Sequence, residues 1–137
     1  MRIAQVTDLT APFAIRTEVF VGEQGVTPAE EIDGMDDACL HWLATDEEGP
    51  VATLRVRVMG DTAKIQRVAV LPRARGTGVG AALMRHVMDE LRASGLRRAT
   101  LGAQTHAMGF YARLGFVARG PTYDDAGIPH RDMDRDL

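Results

Sequence analysis

The sequence predicts a mixed α/β fold, with a central, mostly antiparallel sheet and helices on both of its faces. Three observations carry this reading. Short apolar runs with period-two spacing fill much of the first half, "CLHWLAT", "VATLRVRVM" and "TAKIQRVAVL" among them. In the second half "AALMRHVMDELRASG" and "HAMGFYARLG" have helical spacing and alternate with further strands. A glycine-rich junction, "RVAVLPRARGTGVGAAL", joins a strand directly to a helix. The 137 residues suit a single domain over 1–137 with one core of its own.

Each element follows from local chemistry. "MRIAQVTD" reads as a first strand. "TAPFAIRTEVFVGEQG" sets Phe13, Ile15, Val19 and Phe20 near helical spacing, with Gly25 to end the helix. Residues 26–39 read as an acidic loop with one helical turn, and Gly49-Pro50 as a turn. In "VATLRVRVM", Leu54, Val56 and Val58 alternate with Thr53, Arg55 and Arg57, the signature of a half-buried strand. Gly60-Asp61 makes a hairpin turn into the next strand. Leu83, Val87 and Leu91 share a helix face, which places His86 among packed residues, and Gly95 lies just past the end. "RRATLGAQ" is a strand. In the short helix after it Phe110 and Leu114 stand four apart, and Gly115 is the stop. "FVARG" and "HRDMDRDL" are the last two strands.

Composition narrows the function. A net charge of -3 gives no footprint for nucleic acid or an anionic membrane. Cys39 is alone and cannot close an internal disulfide, so a reducing cytoplasm is the expected setting. "MRIAQVTDLT" has no long apolar run, so neither a signal peptide nor a membrane span is expected. The four histidines and Cys39 lack metal-ligand spacing, and no metal is assigned.

Gly76, Gly78 and Gly80 stand at every second position where the strand becomes the helix, with Arg73 and Arg75 beside them. Glycine lets a ligand approach the backbone, and unpaired N–H groups at a helix start favour anions, so the junction reads as a phosphate cradle. A nucleotide-triphosphate loop needs Gly-Lys-Ser/Thr, but Ala81-Ala82 follow Gly80. The third glycine of a dinucleotide motif would fall at Leu83 or Ala81, and Arg97-Arg98-Ala99-Thr100 holds no acidic ribose partner.

Arg75-x-x-Gly78-x-Gly80 resembles the Arg/Gln-x-x-Gly-x-Gly/Ala motif of the GNAT superfamily of acetyl-CoA-dependent N-acyltransferases. The preceding "RVAVLP", the later "FYARLGF" and the element order extend the resemblance over nearly the whole chain. "VFVGEQG…EIDGMDD", "AQ" and "GIPHRDM" look like a small bacterial subgroup whose acceptors are mostly unassigned. Part of this region also resembles acyl-homoserine-lactone synthases.

The resemblance implies that Arg75, Gly76, Thr77, Gly78, Val79 and Gly80 hold the coenzyme A pyrophosphate. It implies that the pantetheine arm pairs with the backbone of Val68, Ala69 and Val70, where an N–H also polarises the acetyl carbonyl. Tyr111 matches the tyrosine that protonates the departing thiolate, and a phenol of pKa about 10 suits that task. The incoming amine must lose a proton to Glu18, Glu23, Asp33, His41, His106, His130 or a water, with Glu23 the first choice. His41, in an apolar strand, reads first as a satisfied core histidine. Gln104, Asp33 and His130 are the candidate substrate contacts, with Gln104 and His130 equally readable as structural hydrogen bonders. Glu30, Glu31, Asp33, Asp36 and Asp37 form an acidic run that either attracts a cationic amine or is a solvated loop.

The implied activity is acetyl transfer from acetyl-CoA to a primary amine in a ternary complex. The implied partners are acetyl-CoA, a small amine and, as one option, a second copy of the chain. Two rivals stay open: a lactone-synthase-like acyltransferase, and a coenzyme A-binding sensor without turnover, which would need neither Tyr111 nor a base.

Overall fold

The computed structural model describes all 137 residues. One seven-stranded sheet runs in the order β1-β2-β3-β4-β5-β7-β6. Its strands are β1 (Arg2–Val6), β2 (Leu40–Asp46), β3 (Gly49–Met59), β4 (Thr62–Val70), β5 (Arg98–Gln104), β6 (Val117–Asp125) and β7 (Ile128–Asp136). Every pairing is antiparallel except β4 with β5. The helices are α1 (Thr10–Arg16), α2 (Pro28–Glu31), α3 (Val79–Ala93) and α4 (Met108–Arg113).

Opposite faces of the sheet bury different helices. Leu83, Met84, Val87, Met88 and Leu91 of α3 pack into the main core with Trp42, Ala52, Leu54 and Val56. On the other face Ile15 of α1 and Val19 pack on Ala69, with Leu43 beside them. Burial on both faces corrects the reading of β3 as half-solvated. Residues Val51, Ala52, Thr53, Leu54, Arg55 and Val56 are all buried, because α1 covers the Thr53 and Arg55 side. The alternation fails at the far end too, where Val58 is exposed.

Other boundaries differ from the sequence reading for local reasons. The β2–β3 turn falls on Glu47 and Glu48, and Gly49 and Pro50 open β3 instead. The helix begun by α1 continues as a π-helix over Thr17–Glu23, closed by the bond from the Gln24 N–H to Val19 O (3.2 Å). Such wide turns recur at functional sites. Gly120 is not the end of β6: the register shifts between Arg119 and Tyr123, and the strand resumes to a two-residue turn. That turn is Ala126-Gly127, both with positive φ (52° and 78°), which matches the twist of a tight hairpin. His86 does not pack in the core; its Nε2 lies 2.7 Å from Glu90 Oε1 one helical turn on.

Two features of β4 shape the site. First, β4 and β5 pair only through Thr62↔Arg98, Ala63↔Ala99 and Lys64↔Thr100, and then part. The rest of β4 is bonded on one side only, to β3. Second, β4 bulges. Thr53 pairs with Ala69 and Arg55 with Gln66, so Leu54 faces two residues, Arg67 and Val68. Arg67 sits at φ 55°, a left-handed conformation unusual for a residue with a Cβ. The extra residue switches the alternation: before it Ala63 and Ile65 face the α3 core, after it Val68 and Val70 do.

Candidate functional site

A cleft of about 830 Å³ opens where β4 and β5 part. One wall is the free edge of β4 from Ile65 to Val70, and the other is Leu101, Gly102 and Gln104 of β5. Val19, Phe20, Glu23 and Gln24 of the π-helix lie over it, and Tyr111, Tyr123 and His130 complete the lining.

The glycine junction follows β4, and of its residues only Arg75 lines the cleft. Gly76 (φ 77°) and Gly78 (φ 84°) need positive φ, and a Cβ on either would meet no atom within 4 Å. The space beside them is free for a ligand. The first helical bond of α3 runs from the Ala82 N–H to Gly78 O (3.0 Å), so the amides of Gly78, Val79, Gly80 and Ala81 have no backbone partner. Thr77 Oγ1 is bonded back to Ala74 O and tightens the turn. Gly80 works differently: a Cβ there would touch Phe110 Cζ and Val70 Cγ2, each at 3.4 Å. Its missing side chain serves close packing of α3 on β4 and α4, and only its amide belongs to the cradle. The Arg75 side chain turns away from the glycines, donating to both oxygens of Glu23 (2.7 Å each) and to Val70 O (3.1 Å).

Free amides, open space beside Gly76 and Gly78, and an unpaired strand edge between them and the cleft floor together fit an extended thioester carrying a pyrophosphate.

Tyr111 lies edge-on to Phe110 (centroids 5.0 Å apart) and to Phe116 (6.1 Å). Burial alone pushes its phenol up, so it is a weaker acid than a free phenol. Across the cleft, Tyr123 stacks on His130 at 5.9 Å and donates to Asp132 Oδ1 at 2.8 Å. Burial, then that hydrogen bond, push the Tyr123 phenol up to about 12. His130 Nδ1 lies 2.7 Å from Ile128 O. A carbonyl only accepts, so Nδ1 is the donor in this contact.

Glu23 lines the cleft, but its hydrogen bonds to Arg75 hold its carboxyl below the usual range. Both oxygens are taken, which makes it a poor proton acceptor. Asp33 lies outside the cleft lining, and both of its oxygens accept from Arg55 (3.0 and 2.6 Å). In place of the expected substrate contact, Asp33 is a clamp on Arg55. The acidic run is divided: Glu30, Asp33 and Asp37 are exposed, whereas Glu31 and Asp36 are buried beside Arg16 and Arg55. His41, also buried, donates to Asp36 O (2.9 Å) as a satisfied core histidine. Gln104 pairs its amide with that of Gln24 (2.8 and 3.3 Å), tying the π-helix to the end of β5.

The sequence matches the Acetyltransferase (GNAT) domain family over residues 12–137. The chain belongs to the GNAT acetyltransferase family. It is 38% identical over 125 residues to the uncharacterized N-acetyltransferase YjcF of Bacillus subtilis, covering 90% of this chain and 89% of that protein. Among solved structures, an acyl-CoA N-acyltransferase from Pseudomonas aeruginosa superposes with a TM-score of 0.87 at 31% identity, over 98% of this chain and 99% of the other. ElaA of Escherichia coli gives 0.86 at 30%, over 98% of each chain. The fold and the acyltransferase class of this protein follow, with acyl-CoA as the donor class of the family. No helix is long and apolar enough to cross a membrane.

Sequence reasoning missed Arg67, Tyr123, Gln24 and Gly102. Tyr123 lies across β5, where a Cβ on Gly102 would collide with its hydroxyl. The one sequence signal was at Arg67, which breaks the apolar period set by Ala63 and Ile65.

Proposed function

We propose that this protein transfers an acetyl group from acetyl-CoA to a primary amine by direct attack in one ternary complex. The observation that carries the proposal is the unpaired edge of β4, which lines the cleft together with Tyr111 and leads, past Arg75, to the free amides of the glycine junction outside the lining. Bound there, acetyl-CoA supplies a thioester carbonyl that an amine can attack.

The residues divide the work. The amides of Gly78, Val79 and Gly80 bind the pyrophosphate, and the β4 edge at Val68–Val70 pairs with the pantetheine amides. A backbone N–H of that edge polarises the acetyl carbonyl, and being fixed it costs no reorganisation as charge develops. His130 Nε2 takes the proton from the incoming amine, in place of Glu23. The C–N bond forms, the C–S bond breaks, and the protonated Tyr111 hydroxyl gives its proton to the sulfur. Phe20, Leu101 and Tyr111 keep the reacting atoms in an apolar setting.

Acetyl-CoA should raise the melting temperature by mass action, and NADH and ATP far less. Equal shifts from all three would overturn the donor assignment. Thiol release across a panel of amines tests the transfer.

A further inference from the structure

Three guanidiniums crowd the α1 side of the sheet beside the cleft, and the protein treats them unequally. Arg16 uses every nitrogen, bonding Glu31 Oε1 (2.5 Å), Asp36 Oδ1 (2.6 Å) and Asp36 Oδ2 (3.4 Å), and Glu31 O (3.3 Å). Arg55 does the same with Gln66, Asp33 and Asp36, at 2.6 to 3.1 Å. Arg67 does not. Its Nη2 reaches Glu31 O (3.1 Å), Glu30 O (3.3 Å) and Asp33 Oδ2 (3.5 Å). Its Nε is buried 3.5 Å from Glu31 Oε1, an ion pair without a hydrogen bond. Its Nη1 bonds to nothing in the protein, yet Nη1 is not among the buried orphan atoms, and Arg67 lines the cleft.

The backbone makes this placement at a cost. By strand alternation Arg67 would point with Ala63 and Ile65 into the apolar core. The bulge and the left-handed φ of 55° swing it to the charged face. Such strain persists where the surroundings over-determine it, and it clusters at binding sites. Desolvation, and then the nearby Arg55, disfavour the charge on Arg67. The cation is strained into place, under-bonded, and one residue before Val68, where the edge of β4 meets the acyl group in the reading above.

We propose that Arg67 Nη1 receives a carboxylate of the acceptor, so that the acceptor class is an amine that also carries a carboxylate. This rests on the acyltransfer reading. The surroundings favour a single negative charge. Arg16, Arg55 and Arg67 are matched in number by Glu31, Asp33 and Asp36; in the cleft lining Glu23 is paired with Arg75, and Glu30 and Asp125 outnumber Lys64. A monoanion gains the free donors of Nη1, while a phosphate dianion also meets these carboxylates. Asp125, which lines the cleft and pairs with no cation of the chain, suits the ammonium end of a zwitterion.

The test uses the intact protein with acetyl-CoA. Initial rates of thiol release are compared for glycine, β-alanine and γ-aminobutyrate, for their primary amides, and for phosphoethanolamine. The best carboxylate is expected to exceed its own amide at least about tenfold in kcat/KM, the scale of one hydrogen-bonded charge. In a folded Arg67→Gln variant that preference should vanish through a higher KM for the acid and not for the amide, and Arg67→Lys should restore part of it. Amides used as well as acids, a preference for phosphoethanolamine, or an acid preference unchanged in Arg67→Gln would overturn the proposal. If no amine releases thiol, the acyltransfer reading fails by itself. The anion site is then read by ligand-detected NMR with N-acetylglycine and N-acetyl-β-alanine against their amides. Binding of the acids alone supports it, and equal or no binding overturns it. The comparison of acid with amide on the unaltered protein does not depend on any variant folding.

Discussion

The two ends of the cleft are built from different materials. The donor end is backbone: a strand edge that has lost its neighbour past Lys64, and loop amides that α3 leaves unpaired. The other end, where we place the acceptor, is side chain: Arg67 and Glu31 line the cleft and are interlocked with Arg16, Arg55, Asp33 and Asp36 behind it. A backbone site recognises any ligand with the right phosphate and amide spacing and tolerates side-chain change. A side-chain site selects a particular acceptor and fails when one member is lost. This is how a family can share one donor while its acceptors vary.

The largest effect should come from breaking the side-chain end. Arg16→Ala leaves the buried carboxylates of Glu31 and Asp36 without their shortest partner. Removing one member of a buried network costs about 3–5 kcal/mol, read as the shift in a urea unfolding curve. A loss under about 1 kcal/mol would mean that the cluster does not hold this end together. Acid should attack the same place. Hydrogen bonds from Arg55 hold the Asp33 carboxyl far below its ordinary value. Burial pushes Asp36 up, but hydrogen bonds from Arg16 and Arg55 outweigh it and hold that carboxyl down as well. The unfolded chain therefore binds these protons first, and stability present at neutral pH falls as pH drops through and below about 4. Unfolding midpoints measured from pH 7 to pH 3 should show a plateau and then a decline; a flat profile would break the electrostatic account.

Next in size is the chemistry between the two ends. Tyr111→Phe keeps the ring against Phe110 and Phe116 but removes the proton. Single-turnover transfer should fall on the order of 10²-fold with acetyl-CoA affinity little changed. Unchanged turnover with chemistry rate-limiting would make Tyr111 a packing residue.

The donor end should respond more mildly, and its glycines should separate. At Gly78 a branched side chain would be held at φ 84°, a strain of about 1–2 kcal/mol, and would fill the open space of the cradle. Gly78→Val should fold, lose some stability and lose the thermal shift with acetyl-CoA. Gly80→Ala should do the reverse and be the smallest effect. Its Cβ meets Phe110 and Val70 at 3.4 Å, so packing gives slightly while the amide still binds. Identical behaviour of the two variants would erase the distinction between cradle and packing glycine.

Much of the donor end was legible because it is local. The glycine spacing, the helix start at Val79 and the "FYARLGF" segment all lie within short windows, and local backbone chemistry decides them. What escaped depends on contacts between distant segments. Gln24 and Gln104 are 80 residues apart, and no pattern in either segment pairs them. Glu23 followed an apolar helical run and read as a free base until Arg75 proved to hold both of its oxygens.

By itself the sequence determined the class of fold and the glycine junction, because periodicity and turn chemistry act over a few residues, and the resemblance of its motifs pointed to the family. Only the tertiary structure decided which charges are free. Asp33 and Arg55 pair across a loop and a strand, whereas Arg67, in an equally charged neighbourhood, is left with an unbonded nitrogen. The reason is physical. A charge's state is set by burial and by the partners within a few ångströms, and the β4 bulge that turns Arg67 toward the cleft forms only when β3 is laid beside β4.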